Sequence, residues 1–196
     1  MKTTKIKNSP RPSHRPGTPA EKANRRPGDR RQLRRQRRTV GSRCTVIFDG
    51  ENLLAPLERS RPESMLQAFG QILKLTGTND HARQGAIVAD RGIVRAVMPA
   101  IPSWMRPRVT PDRTPSSADR VLIRWLRTDA APLGYDHLVL VSGDGDFAEA
   151  VDEAKAAGRE LTVIGRRASI SAELVERADR LIQIEYPPDG GPIRVV

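Results

Sequence analysis

Val139-Leu140-Val141-Ser142-Gly143-Asp144-Gly145-Asp146-Phe147 is an apolar strand that runs into two aspartates separated by one glycine. An amphipathic helix follows it. A second apolar strand, Thr45-Val46-Ile47-Phe48, also ends on an acid, Asp49, followed by Gly50, Glu51 and Asn52. A packed core has no use for carboxylates just past strand ends, so these acids point to a site. Ionised carboxylates brought together repel unless a cation sits among them.

Outward from these two segments the pattern alternates. A strand at 44–49 precedes a helix over 62–75, whose Met65, Leu66, Phe69, Ile72 and Leu73 share one apolar face. Gly85–Ala89 reads as a strand and Ile93–Val97 as a helix. Prolines 99, 102, 107, 111 and 115 break up the next stretch, which has room for a short edge strand around 108–110. Ser116 or Ser117 is placed to cap a helix through Val121, Leu122 and Trp125. His137–Val141 is a strand, and Phe147–Ala157 a helix closed by Gly158. A strand at Leu161–Ile164, a helix at Ile170–Arg177 and a strand at Leu181–Ile184 complete the order. Alternation of this kind predicts an α/β fold, a doubly wound and mostly parallel sheet with helices on both faces.

Charge divides the chain. Residues 1–43 hold 15 of the 34 Lys+Arg and 2 of the 23 Asp+Glu, so this segment carries +13 and the remainder −2. Rich in Pro, Arg, Lys, Ser and Gly, the segment cannot offset the entropy of ordering itself, and is expected to be a disordered tail that contacts nucleic acid. The expected organisation is tail 1–43, domain 44–186 and a loose C-terminal stretch 187–196. Cys44 is the single cysteine, so an intramolecular disulfide and a Cys-based zinc site are excluded. His14, His81 and His137 show no ligand spacing. No run is long and apolar enough for a membrane span or a secretion signal, which makes a soluble, cytoplasmic protein the expectation. Nothing in the sequence sets the oligomeric state.

In a doubly wound sheet, ligands bind beyond the carboxyl ends of the strands where strand order reverses. Asp49, Asp144 and Asp146 are expected to meet there. Asp119, in the first turn of the helix after the proline-rich stretch, is the fourth candidate. Four hard oxygen donors without histidine or thiolate suit Mg²⁺ or Mn²⁺. Glycines 143 and 145 leave room for a backbone or a phosphate to approach. Arg166 and Arg167, expected in a loop after a strand, are candidates for gripping a phosphate backbone.

Three stretches carry a family resemblance: Ile47-Phe48-Asp49-Gly50-Glu51-Asn52, Ser117-Ala118-Asp119 and Ser142-Gly143-Asp144-Gly145-Asp146-Phe147. Together they resemble the NYN domain, a branch of the PIN-like ribonucleases, over about residues 44–186. The resemblance implies divalent-metal hydrolysis of RNA phosphodiesters by an endoribonuclease, with Asp49, Asp119, Asp144 and Asp146 as metal ligands. It implies that Asn52 supports the site or touches substrate, and that Ser142 is the hydroxyl beside the acids. Many relatives carry Lys-Gly-Val-Asp or a similar run where this chain has Ser116-Ser117-Ala118-Asp119, so the basic residue is missing here. A non-catalytic RNA-binding or regulatory module using the same acids is the alternative. A dinucleotide-binding domain is disfavoured, because acids stand where bare amides would cradle a pyrophosphate. An aspartyl-phosphate phosphatase would want Asp-x-Asp-Gly-Thr after the first strand and a lysine before the second loop. Lys74 and Lys155, the only lysines after residue 43, are not so placed.

Overall fold

The computed structural model describes residues 43–57, 62–77, 83–111, 114, 116–187 and 191–196. The expected basic tail lies outside the described residues, apart from Arg43. Seven strands form one sheet: β1 (Cys44–Asp49), β2 (Arg83–Ala89), β3 (Met105–Val109), β4 (His137–Val141), β5 (Glu160–Arg166), β6 (Arg180–Glu185) and β7 (Arg194–Val195). Their order is β3-β2-β1-β4-β5-β6-β7. All neighbours pair in parallel except β6 and β7, which are antiparallel. The fold is the expected α/β class, and strand order reverses between β1 and β4.

Alternation along the strands sorts the core into two layers. Val46, Phe48, Ile87, Ala89, Met105, Val139, Val141 and Ile164 face helices α1 (Gly50–Leu54), α2 (Pro62–Leu75) and α3 (Arg91–Val97). Ile47, Ala86, Val88, Leu138, Leu140, Leu161 and Val163 face α4 (Ser117–Trp125), α5 (Ala148–Ala156) and α6 (Ala172–Arg177). The α2 stripe was legible because Met65, Ala68, Phe69 and Ile72 recur at helical spacing and all are buried. Phe69 meets Phe48 of β1 at a ring-centroid distance of 5.0 Å, tilted by 60°, a favoured aromatic geometry.

Several elements differ from expectation. The helix after β4 begins with a 3₁₀ turn, Gly145–Phe147, before α5 proper. The edge strand lies at 105–109 rather than 108–110. Part of the supposedly loose C-terminus is held: Arg194 pairs with Glu185, and Ile193 N donates to Gln71 Oε1 at 2.9 Å. A short helix, α1, sits directly behind Asp49, in a stretch to which the sequence assigns no element. Among the described residues no helix is long and apolar enough to cross a membrane.

Candidate active site

Asp49 ends β1 and caps α1. Its Oδ1 accepts from Asn52 N at 3.0 Å and its Oδ2 accepts from the Ser142 hydroxyl at 3.0 Å. Ser142, fully buried at the end of β4, also accepts from Asp144 N at 3.1 Å. Asn52 Oδ1 accepts from Gly143 N at 3.0 Å. The ends of β1 and β4 are thus laced together by two side chains, and the β4 loop presents Asp144 beside Asp49. Asp144 Oδ1 accepts from Asp146 N at 3.0 Å and caps the 3₁₀ turn. Helix α5, which follows that turn, begins without a side-chain cap of its own.

Asp119 arrives from the first turn of α4 and is buried, with Oδ1 lacking any hydrogen-bond partner. Burial and the charges of Asp49, Asp144 and Asp146, with a hydrogen bond toward Asp49, push its carboxyl up to about 7. Burial likewise raises Asp49 to about 6, against the lowering effect of Asn52 N and the Ser142 hydroxyl; the charges of Glu51 and Asp144 raise it further. Burial is the larger cause for both carboxyls, and the neighbouring acids add to it. Among the described residues no lysine or arginine is ion-paired to any of the four acids.

The four acids are not drawn into a metal cage. Among the described residues no three or more His, Cys, Asp or Glu side chains are close enough together to hold a metal ion. Oxygens that a cation would take are turned to protein donors instead, and the exposed Asp146 accepts from the Ser116 hydroxyl at 2.6 Å. That hydroxyl was expected to cap α4. Ser116 sits in the left-handed region (φ 57°) and makes no side-chain cap, a conformation that costs a non-glycine residue about 1–2 kcal/mol. The donor set nonetheless suits a hard dication. Every donor is oxygen, one buried oxygen of Asp119 is unpartnered, and among the described residues no lysine or arginine is ion-paired to the acids.

Other expectations resolve differently. Space beside Gly143 belongs to the protein, not to a phosphate: a Cβ there would lie 2.8 Å from Ser169 O and 3.0 Å from Ile170 Cα. Ser171 N closes that loop on Gly143 O at 2.8 Å. Arg166 is the last residue of β5, with Nε buried and unpartnered and its charge facing Tyr186. Arg167 is exposed and 3.5 Å from Glu185. Neither arginine pairs with the acids. Asp90 caps α3 through Ile93 N at 2.9 Å, and Glu51 accepts from Thr110 Oγ1 at 3.0 Å.

The family model of the NYN domain matches residues 43–185. A similar fold occurs in the crystal structure of a protein of unknown function from Vibrio parahaemolyticus, with a TM-score of 0.55 and 18% identity, covering 75% of this chain and 95% of that one. At that identity the likeness concerns the fold alone. No curated protein matches the chain.

Proposed function

The chain belongs to the NYN domain family, of the PIN-like ribonuclease type, and from that premise we propose that it hydrolyses RNA phosphodiester bonds with Asp49, Asp119, Asp144 and Asp146 as the catalytic acids. The observation that carries this reading is the unpaired negative charge at the switch point. Asp49 and Asp119 are buried side by side, raised to about 6 and about 7, with Asp119 Oδ1 unpartnered. A packed fold gains nothing structural from burying Asp119 beside a second acid with one oxygen unpartnered.

A divalent cation such as Mg²⁺ or Mn²⁺, held by these four acids, would supply the positive charge that acidifies the attacking water and offsets charge on the phosphate. The chain's own residues do the rest. Asn52 and Ser142 are positioning residues, since their polar atoms hold β1, α1 and the β4 loop in mutual register. Asp119 Oδ1, buried and without a protein partner, is the oxygen most open to such a cation. Product ends of 5′-phosphate and 3′-hydroxyl follow from the family. RNA is the substrate class, with residues 1–43 as an auxiliary contact.

The absence of a ready metal cage among the described residues favours one second reading, an RNA-binding module that does not cleave. Full-length protein incubated with 5′-labelled RNA and Mg²⁺ or Mn²⁺ separates the two. Cleavage that is lost with chelator, and falls at least 100-fold in Asp144→Asn, supports hydrolysis. RNA binding without cleavage under any divalent cation supports the module.

A further inference from the structure

The face of the sheet that carries Asp49 continues, two strands away, into a row of arginines. Asp49, Val88 and Arg108 occupy one register row across β1, β2 and β3, and Ile47, Ala86 and Arg106 occupy the row two residues earlier. Side-chain alternation puts Arg106 and Arg108 on the Asp49 side of the sheet, because their row partners Ala86 and Val88 lie in the α4 layer. Two strand spacings put the Cα of Arg108 roughly 10 Å from that of Asp49. Helix α4 packs over β1 and β2, and both β3 arginines are exposed. Arg120 and Arg124, one turn apart on α4, are also exposed. Arg120 Nη2 is held by Thr114 Oγ1 at 2.9 Å. Among the described residues Arg106, Arg108 and Arg124 have no acidic partner.

The opposite flank of the same face has the contrary charge. Exposed Glu149, Asp152 and Glu153 of α5 and Glu173 and Glu176 of α6 dominate it, with Arg127 and Arg177 consumed in ion pairs to α5. A polyanion reaching the acids therefore meets attraction from one side and repulsion from the other. The free edge of β3 is also unsuited to a protein strand. Trp104 O accepts from Gly85 N and Thr110 N donates to Ala89 O, so the even-numbered residues bond to β2 and the odd-numbered ones face outward. Pro107, with no N–H, occupies the centre of that outward edge, which blocks strand addition.

We propose that the β3–α4 flank, through Arg106, Arg108, Arg120 and Arg124, is the track along which the phosphate backbone of single-stranded RNA approaches the acidic crevice, with the α5–α6 flank excluding it. This rests on the proposed function for the identity of the polymer. The contacts are to phosphates, so they set position and orientation rather than base preference.

The test uses the full chain and an oligo-uridine RNA in EDTA, where binding is read without cleavage. Arg106→Glu/Arg108→Glu is compared with a charge-matched pair on the far strands, Arg180→Glu/Arg194→Glu. The β3 pair is expected to weaken binding at least fivefold and to reduce the salt slope by about 1.4, since each phosphate contact on a single strand contributes about 0.7. The far pair is expected to change binding less than twofold. RNA carrying 4-thiouridine is expected to cross-link to peptides of β3 and α4. Equal losses in the two pairs, or cross-links confined to residues 1–43 or to a surface away from β3 and α4, overturn the proposal. The hydrolysis reading fails separately: selective loss in the β3 pair from a protein that cleaves under no cation leaves the track standing. Cleavage by Arg106→Glu/Arg108→Glu with unchanged kcat/KM removes the track and leaves hydrolysis standing.

Discussion

Replacing Asp119 by asparagine should stabilise the metal-free protein, and by more as pH rises. Its carboxyl titrates at 3.8 in the unfolded chain and at about 7 in the fold. Between those values the folded state holds a proton that the unfolded chain has released, so stability falls as pH climbs through this window and levels off above it. A tenfold change in proton affinity is worth about 1.4 kcal/mol, giving an upper bound of about 4 kcal/mol for ionising Asp119 by pH 8. Asp49, raised to about 6 by burial and neighbouring charge, shares the repulsion, so about 2–3 kcal/mol is expected. Asparagine is close in shape to the protonated acid, and its amide can donate toward Asp49. In EDTA the variant should exceed wild type at pH 8 by roughly 5–10 °C in melting temperature, and by less than half of that at pH 5. Adding Mn²⁺ at pH 8 should raise the wild type alone and close that gap. A melting scan at both pH values, with and without Mn²⁺, gives the answer. A variant less stable than wild type at pH 8, or a difference that ignores pH, would refute the claim that Asp119 sits in uncompensated negative charge.

Two further substitutions probe the scaffold beneath the acids. Gly143→Ala puts a methyl 2.8 Å from a backbone carbonyl that cannot swing aside, so unfolding in urea should show a loss of about 1–3 kcal/mol; an unchanged midpoint would mean that the 169–171 loop is not packed on the β4 turn. Asn52→Ala leaves Gly143 N without its acceptor, and stability should drop by about 1–2 kcal/mol. Cleavage should slow at least tenfold while RNA affinity in EDTA stays the same; a fall in affinity instead would make Asn52 a substrate contact.

The sheet was legible because its signals are local and redundant. Residues 46–48 and 138–141 are unbroken apolar runs, as strands buried on both faces require, and each is followed by a break in hydrophobicity. Helix 62–75 shows its period over four turns. Helix α1 escaped because five residues beginning with glycine carry no period. The available signal was capping: Asp49 sits three residues before Asn52, and its carboxylate takes the Asn52 N–H. Strand β3 was displaced because five prolines obscure alternation. Its register is set by pairing to β2, which no local window contains.

Asp49, Asp144 and Asp146 could be placed at one sheet edge from sequence because topology alone brings β1 and β4 together; how each side chain is bonded there could not. Asp146 accepts from a hydroxyl thirty positions away, and Ser116 reads locally as a helix cap. In the fold Asp144 caps the turn, and Ser116 leaves α4 without a side-chain cap and donates to Asp146. Cap propensity describes what a side chain can satisfy nearby, whereas a crowded acidic crevice offers a stronger partner. A hydrogen bond from hydroxyl to carboxylate is worth about 1.5–3 kcal/mol against about 1 for a neutral cap, enough to offset the left-handed backbone at Ser116. The same reasoning covers Ser142, whose hydroxyl is committed to Asp49 rather than to solvent or substrate. Hydroxyl groups near clustered acids are therefore best read as donors that temper the charge, and the residue to single out for chemistry is the buried acid with an oxygen left unpartnered. Here that acid is Asp119.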